Sequence, residues 1–169
     1  MRKRRYIRYI MKSITFALII AISLSFTPVA VLAVSGGVVA VKTLPPGTSE
    51  FEREVFILVN IEREKEGLDP LKWDTELSNV ARAHSKDMEH KSYFSHINLE
   101  GQSPAARIKE YNISFFYSGE NLARGYKTAE SVVEAWMGSV GHRNAILSVM
   151  ATHIGVGVQN YYWTMDTIG

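Results

Sequence analysis

The chain of 169 residues contains no cysteine, which excludes a disulfide framework and any metal site built from thiolates. The residues from 50 onward number roughly 120, enough to bury one hydrophobic core but too few for two ordinary domains. The fold must therefore be stabilised by that single core.

Short catalytic motifs are absent as well. The sequence has no H-E-x-x-H signature of a zinc protease and no G-x-S-x-G turn of a serine hydrolase. It also has no internal repeat and no low-complexity tract. Any active or binding site must therefore be assembled from residues that lie far apart in the chain.

Basic residues are concentrated at the N-terminus. Residues 1–12 hold six of the 19 lysines and arginines, and an uncharged, largely apolar stretch follows at 13–34. This order, with small residues at Val31–Ala33, is typical of a secretory signal peptide. The apolar stretch is also long enough to cross a bilayer of roughly 30 Å through residues 14–34. Residues 1–33 are thus predicted to be a signal peptide or a membrane anchor.

The remainder of the chain is mildly acidic. Without residues 1–12 it has 13 lysines and arginines against 17 aspartates and glutamates, a formal charge of −4. The basic residues are scattered among acidic ones, which argues against nucleic acid as a partner. We expect a secreted or extracellular domain that contacts the membrane only through residues 14–34, if that anchor is retained. Glycine and proline mark residues 34–48 as a linker.

Residues 49–169 carry the periodicities of one α+β domain. Ser49 opens a capping box and a first helix that ends near Gly67, and Asp74 caps a second helix that ends near Ser92. The segment between these helices is predicted to be an extended connector. Shorter helices are predicted after Ser103, after Thr128 and over residues 141–147.

Extended segments accompany these helices. Residues 113–123 have no helical period and are predicted to run from a strand into a loop. Residues 153–160 and 161–166 are predicted to form a terminal antiparallel hairpin. Gly155 and Gly157 are expected where a helix or a cleft approaches the backbone closely. Helices packed on a small antiparallel sheet indicate the α+β class.

The five histidines are the residues best suited to acid–base or metal chemistry near neutral pH. His84 lies on the apolar stripe of the second helix, which indicates a core histidine with a hydrogen-bond partner. His90 lies near the end of that helix, where a surface position is expected, and His153 opens a strand. His96 and His142 lie in turn-rich segments whose side chains are free to converge, and such segments often carry sites.

Spacing alone does not join these residues into a site. His96, Glu120 and His142 are separated by more than twenty residues at each step. Glu120 follows an aromatic run, and a buried carboxylate needs a partner. Zinc binding and simple hydrogen bonding are both open on these grounds.

Four longer segments together resemble the CAP superfamily (cysteine-rich secretory proteins, antigen 5 and pathogenesis-related 1) in its short bacterial and archaeal form. They are FSH at 94–96, GENLA at 119–123, VVEAWMGSVGHRNAIL at 132–147 and IGVGV with YYWTMD at 154–166. The segments occur in the family's order. The resemblance implies an α-β-α sandwich with a three-stranded antiparallel sheet.

The resemblance also implies a cleft lined by two histidines and two glutamates. His96 and His142 match the histidines, and Glu120 matches the first glutamate, which makes it the candidate catalytic base. The second glutamate of eukaryotic members falls on Ser139, so one member of the set is missing. Further residues expected to line the cleft are Ser95, Asn121, Ser139 and Arg143.

The matched residues are suited to more than one role. His96, His142 and Glu120, with an open coordination position, suit zinc or another divalent cation. The same residues serve equally well as a hydrogen-bonded network in which Glu120 accepts from N–H groups. The loop at 93–102 is expected to form the mobile wall of the cleft.

Three functions follow from these expectations. The first is an exported domain whose cleft binds a lipid, a cell-wall component or a protein, with an optional divalent cation. The second is a metal-dependent hydrolase with Glu120 as general base, which the missing glutamate disfavours. The third is a structural envelope protein with a vestigial cleft. The sequence favours the first.

Overall fold

The computed structural model describes residues 44–169, so the predicted signal peptide or anchor at 1–33 lies outside the described residues, as does most of the predicted linker at 34–48. Within 44–169, no helix is both long and apolar enough to span a bilayer. This part of the chain forms five helices and one four-stranded sheet. The elements are α1 (Glu50–Lys65), β1 (Lys72–Trp73), α2 (Thr75–His90), α3 (Pro104–Glu110), β2 (Ser118–Arg124), α4 (Ala129–Met137), α5 (Val140–Ile146), β3 (His153–Gln159) and β4 (Tyr162–Ile168).

Four of the helices begin where the sequence supplies a capping side chain. Ser49 and the glutamate three residues later form the predicted capping box of α1, and Asp74 caps α2. Ser103 and Thr128 accept hydrogen bonds from the first turns of α3 and α4. Ser139, which precedes α5, makes no such bond. The predicted starts of α1 to α4 are therefore confirmed.

Two helix ends follow from backbone geometry. Gly67 lies just beyond α1 with φ of 71°, a left-handed conformation that glycine adopts without strain. Helix α2 was expected to end near Ser92 but ends at His90. Ser92 itself has a φ of 56°, which is incompatible with a continuing helix.

The sheet has the strand order β1-β3-β4-β2. Strands β2, β4 and β3 are antiparallel neighbours, as predicted, whereas β1 pairs with β3 in parallel. The expected three-stranded sheet therefore has a fourth, short strand. The connector after α1 runs along β3. The amide of Lys72 donates to the carbonyl of Thr152 at 2.9 Å, so backbone groups of the connector find partners in this pairing.

Strand β2 forms an edge of the sheet. It was predicted to run into a loop, but all of residues 118–124 pair with β4. The indole N–H of Trp136 on α4 donates to the carbonyl of Leu122 at 3.0 Å. This helix contact holds α4 against the edge strand.

Helices cover both faces of the sheet, which confirms the α-β-α sandwich. Helices α1, α4 and α5 pack on one face and enclose the larger core, whereas α2 and α3 pack on the other. The larger core includes Val55, Val59, Val132, Val133, Trp136, Ile146, Ile154, Val156, Trp163 and Met165. The smaller core consists of Leu77, Val80, Ile108 and Ile168.

Helix α2 lies against the backbone of β3. A Cβ atom at Gly155 would lie 2.3 Å from the carbonyl carbon of Leu77, and one at Gly157 would lie 2.1 Å from the amide nitrogen of Arg82. Both distances are far shorter than van der Waals contact. Of the two predicted reasons for these glycines, the close approach of a helix is the one observed.

A buried arginine fixes the end of α5. The guanidinium of Arg63 on α1 donates to the carbonyls of Ile146 and Ser148 at 2.8 and 2.9 Å. The last carbonyls of a helix have no partner within it, so Arg63 satisfies them from another helix. The position of α5, which carries His142, is thereby tied to α1.

Replacing Gly157 with alanine should destabilise the domain by about 3 kcal/mol or more, because the new methyl group must displace backbone rather than a mobile side chain. Urea unfolding followed by circular dichroism measures this loss. Gly141→Ala is the matched control, since a Cβ there has no atom within 4 Å. Equal unfolding midpoints for the two variants would contradict the close packing of α2 on β3.

Candidate functional site

The edge strand β2 places two neighbouring polar side chains on opposite faces of the sheet, because successive residues of a strand alternate. Glu120 reaches the layer that contains α3, whereas the side-chain amide of Asn121 donates to the carbonyl of His142 on α5 at 3.0 Å. Two layers of the sandwich are thus joined at one point of the edge strand.

Glu120 is the centre of the cluster. Only 2% of its side chain is exposed, and its two oxygens have different partners. Oε1 lies 2.7 Å from Nδ1 of His96, and Oε2 lies 2.5 Å from Nη2 of Arg107. A carboxylate oxygen can only accept, so Nδ1 of His96 carries the proton. In the neutral ring, the lone pair is then on Nε2.

Arg107 on α3 is buried and contacts three groups. Besides Glu120, its Nη1 atom donates to the backbone carbonyls of His96 and Gln102 at 2.9 and 3.0 Å. The guanidinium therefore holds both ends of the 96–102 segment against the edge strand. The mobility of the 93–102 loop stays a prediction. Any movement of its 96–102 segment away from the edge strand would have to break these bonds.

His142 lies on α5, where its backbone carbonyl accepts from the side chain of Asn121. Partial burial lowers the pKa of His142, and the proximity of His96 lowers it further, because two positive charges would repel. His142 is therefore neutral at neutral pH. The side chain of His96 is 53% exposed even though its Nδ1 atom is held, so the rest of the ring is open to solvent. The structure thus pairs His96 with Glu120, and His142 lies near enough for the charge of His96 to lower its pKa.

Asp166 is a second buried carboxyl group next to Glu120. It lies directly across the β2–β4 pair from Glu120, and neither of its oxygens has a hydrogen-bond partner within the described residues. Burial, reinforced by the negative charge of Glu120, raises the pKa of Asp166 well above its usual range, although Arg107 opposes this. Burial and the charge of Glu120 thus both favour the neutral form of Asp166.

The other predicted site residues have different surroundings. The carbonyl of Ser95 accepts from Nε2 of His84, which confirms His84 as a core histidine with a partner. Arg143 pairs with the exposed Glu66 at 2.9 Å. In the described part of the chain, neither Arg143 nor Ser139 forms a hydrogen bond or ion pair with Glu120.

A resident cation would have few protein ligands. Among residues 44–169, no three His, Cys, Asp or Glu side chains are placed together so that they could hold a metal ion. Because both oxygens of Glu120 are engaged by His96 and Arg107, the imidazoles of His96 and His142 are the remaining candidate ligands. Two imidazoles are fewer protein ligands than zinc sites usually have. Glu120, paired with Arg107, would then contact His96 and not the cation.

This geometry can now be compared with known proteins. The model of the Cysteine-rich secretory protein family, or CAP family, matches residues 56–166. The chain belongs to the CAP family.

Relatives of this CAP domain occur in bacteria. The Bacillus subtilis protein YkwD is 47% identical over 127 residues, which cover 74% of this chain and 49% of YkwD. The membrane protein YlbC of the same species is 40% identical over 117 residues, 69% of this chain and 34% of YlbC. The chain therefore spans about half and about a third of these relatives.

Solved structures show the same architecture. An extracellular protein with an SCP domain from Bacillus anthracis aligns with a TM-score of 0.68 at 33% identity. The alignment covers 69% of this chain and 39% of that protein. The CAP fold expected from the sequence segments is thus supported by sequence and structure together.

Two buried residues of this CAP domain were missed by the sequence analysis. Arg107 lies on the short helix α3, where a charged residue is ordinarily assigned to the surface. Asp166 ends the YYWTMD segment, and its signal was available as a single acid in an otherwise uncharged strand. Placing both beside Glu120 requires the strand register and the packing of α3.

Asp166→Asn should raise stability, and the gain should grow with pH. Because the folded protein keeps a proton on Asp166 that the unfolded chain releases above pH about 4, the wild type loses stability as the pH rises from there. Asparagine has no such proton to lose. We expect a gain of about 1–3 kcal/mol at pH 7.5 that shrinks toward pH 4.

Thermal unfolding between pH 4 and pH 8 measures this difference. Asp69→Asn is the control, since Asp69 is exposed and should show no gain that widens with pH. Parallel stability curves for the wild type and Asp166→Asn would mean that Asp166 is ionised in the folded protein.

Proposed function

We propose that this CAP domain acts outside the cytoplasm as a binding module. The basic and apolar N-terminal sequence favours export. A related solved protein is described as extracellular, and one relative is named a membrane protein. The absence of cysteine is compatible with this location because the core needs no disulfide.

The observation that carries the proposal is the geometry of His96. Glu120 holds one ring nitrogen from below, while the other side of the ring is open to solvent near the neutral His142. The imidazole of His96, held by Glu120 and half exposed, is suited to recognise a polar group. The ligand would lie between the 93–102 loop and α5.

Exposed apolar side chains near His96 and His142, which we call the rim of the cleft, favour an amphipathic ligand: Phe94, Ile97 and Val140. Phe94 and Ile97 flank His96 in sequence and are 45% and 48% exposed. Val140 begins α5, two residues before His142, and is 78% exposed. Exposed apolar side chains around a polar centre mark a binding surface. Among a lipid, a cell-wall component and a protein, this rim favours a lipid.

The proposal includes a divalent cation with two protein ligands. His96 and His142 would hold it, and Glu120 would orient His96, an arrangement in which carboxylates commonly support metal-binding histidines. Zinc bound there would supply a positive charge and Lewis acidity to an anionic headgroup. The protein itself contributes the imidazole of His96, which Glu120 holds, the imidazole of His142 and the exposed apolar side chains.

Binding is better supported than hydrolysis. Both oxygens of Glu120 are engaged, one by His96 and one by Arg107, so neither is available as a general base without rearrangement. Ser139 also stands where a second glutamate would be. A purely structural role is less well supported, because it gives no reason for the exposed apolar rim.

Zinc binding should depend on both imidazoles. We expect isothermal titration calorimetry to show binding to the wild type and none to His96→Ala or His142→Ala. Glu120→Gln should weaken the affinity about 10- to 100-fold, because the ring of His96 loses its orienting carboxylate. His90→Ala is the control, as this histidine lies exposed at the end of α2. Equal affinity in all variants would remove the cation from the proposal.

Lipid binding should depend on the rim rather than on exposed apolar surface in general. Val140→Asp should reduce capture of a fluorescent fatty acid about tenfold, because it places a charge beside the apolar chain of the ligand. Val149→Asp is a closely matched control, since Val149 is 76% exposed and lies beyond the other end of α5. Equal losses in both variants would show that the cleft is not the lipid site.

A further inference from the structure

The last residue of β2, Arg124, is an arginine without a partner of opposite charge. It is exposed, and its guanidinium forms no hydrogen bond or ion pair within the described part of the chain. Four other arginines donate to oxygen atoms: Arg63, Arg82, Arg107 and Arg143. The donors of Arg124 are therefore left for water or a ligand.

Two aromatic rings hold this guanidinium instead. Its central carbon lies 5.5 Å from the centre of the Phe94 ring and 5.7 Å from that of Tyr162. Both distances are within the range of a cation–π contact. Tyr162 lies directly across the β2–β4 pair from Arg124, so the sheet keeps the two side chains together. Because the N–H donors lie at the edge of the planar guanidinium, two of them can still bond a carboxylate or a phosphate in parallel.

Arg124 lies next to the cleft. It is four residues after Glu120, so the two side chains leave the same face of β2 about 13 Å apart along the strand. Phe94 connects the two positions, because its ring contacts Arg124 and also belongs to the rim, two residues before His96. A ligand that bonded Arg124 could therefore place its adjoining apolar part on Phe94.

A second cation with an aromatic contact lies at the same end of the sheet. The Nζ atom of Lys127 is 3.7 Å from the centre of the Tyr161 ring. The amide of Gly125 donates to the carbonyl of Tyr161 at 2.9 Å, which ties the loop after β2 to the turn before β4. Selectivity for an anion must come from such local contacts, because the chain after residue 12 has a formal charge of −4.

We infer that Arg124 binds the anionic head group, a carboxylate or a phosphate, of the lipid proposed for the cleft. The inference rests on the proposed function and names the class of ligand, which is anionic rather than neutral amphipathic lipids. Phe94 and Tyr162 are positioning residues in this site. They hold the guanidinium before the ligand arrives and so reduce the entropy lost on binding.

The experiment compares a fluorescent fatty acid with its methyl ester near neutral pH, since the two share one apolar chain and differ in charge. We expect the wild type to bind the acid about tenfold more tightly, because the ester cannot form the hydrogen-bonded ion pair. Arg124→Met, which keeps most of the apolar stem, should bind both lipids equally. Arg124→Lys should keep part of the preference, because it keeps the charge without the planar pair of donors.

Two further variants separate the site from general effects. Arg53→Met is the matched control and should keep the wild-type preference, because Arg53 on α1 has neither a hydrogen bond nor a cation–π contact within the described residues. Phe94→Leu keeps an apolar side chain at the rim but removes one ring. It should lower the preference for the acid and leave the affinity for the ester nearly unchanged, and an unchanged preference would remove the positioning role of Phe94. Urea unfolding confirms that each variant is folded.

Equal affinity of the wild type for acid and ester overturns the inference and leaves lipid binding intact. A wild-type preference that persists in folded Arg124→Met overturns it as well. If the wild type binds neither lipid, lipid is removed from the proposed function. In that case, or if Arg124→Met does not fold, a titration of the wild type with inorganic phosphate decides the anion site. The Nε–H resonance of Arg124 should then shift and that of Arg53 should not, and an unshifted Arg124 resonance overturns the inference.

Discussion

The buried carboxylate of Glu120 is the constraint on which the candidate site depends. An ion removed from water must be matched by donors, and here they come from the loop after α2 and from the short helix α3. The same guanidinium binds two carbonyls of that loop. Satisfying one charge thus fixes the loop, α3 and the ring of His96 together. Asp166 on the neighbouring strand is buried as well, and its burial and the charge of Glu120 both raise its pKa.

The sheet supplies the frame within which this charge can be met. The contact of α2 with the glycines of β3 sets the distance between helix and sheet. From that helix, His84 donates to the carbonyl of Ser95 and so fixes where the loop begins. On the other face, Arg63 and Asn121 determine where α5 lies. The positions of the two segments that carry His96 and His142 are therefore set by these packing contacts.

Local patterns predicted most of the fold. Capping residues such as Asp74 and Thr128 identify helix starts because their hydrogen bonds involve only the next three residues. The parallel strand at Lys72–Trp73 was not predictable in this way, since its partner is about eighty residues away. Arg107 was missed for the same reason: no local periodicity distinguishes a buried arginine from an exposed one. His96, Glu120 and His142 were found through family motifs, which record tertiary contacts that spacing does not.

The edges of the sheet have a consequence for assembly. At one edge β1 offers only two residues, and at the other the carbonyl of Leu122 is already bonded to the indole of Trp136. A strand that paired with β2 would have to compete with this indole for the carbonyl. Helix α4 therefore disfavours fibril growth by strand addition at this edge.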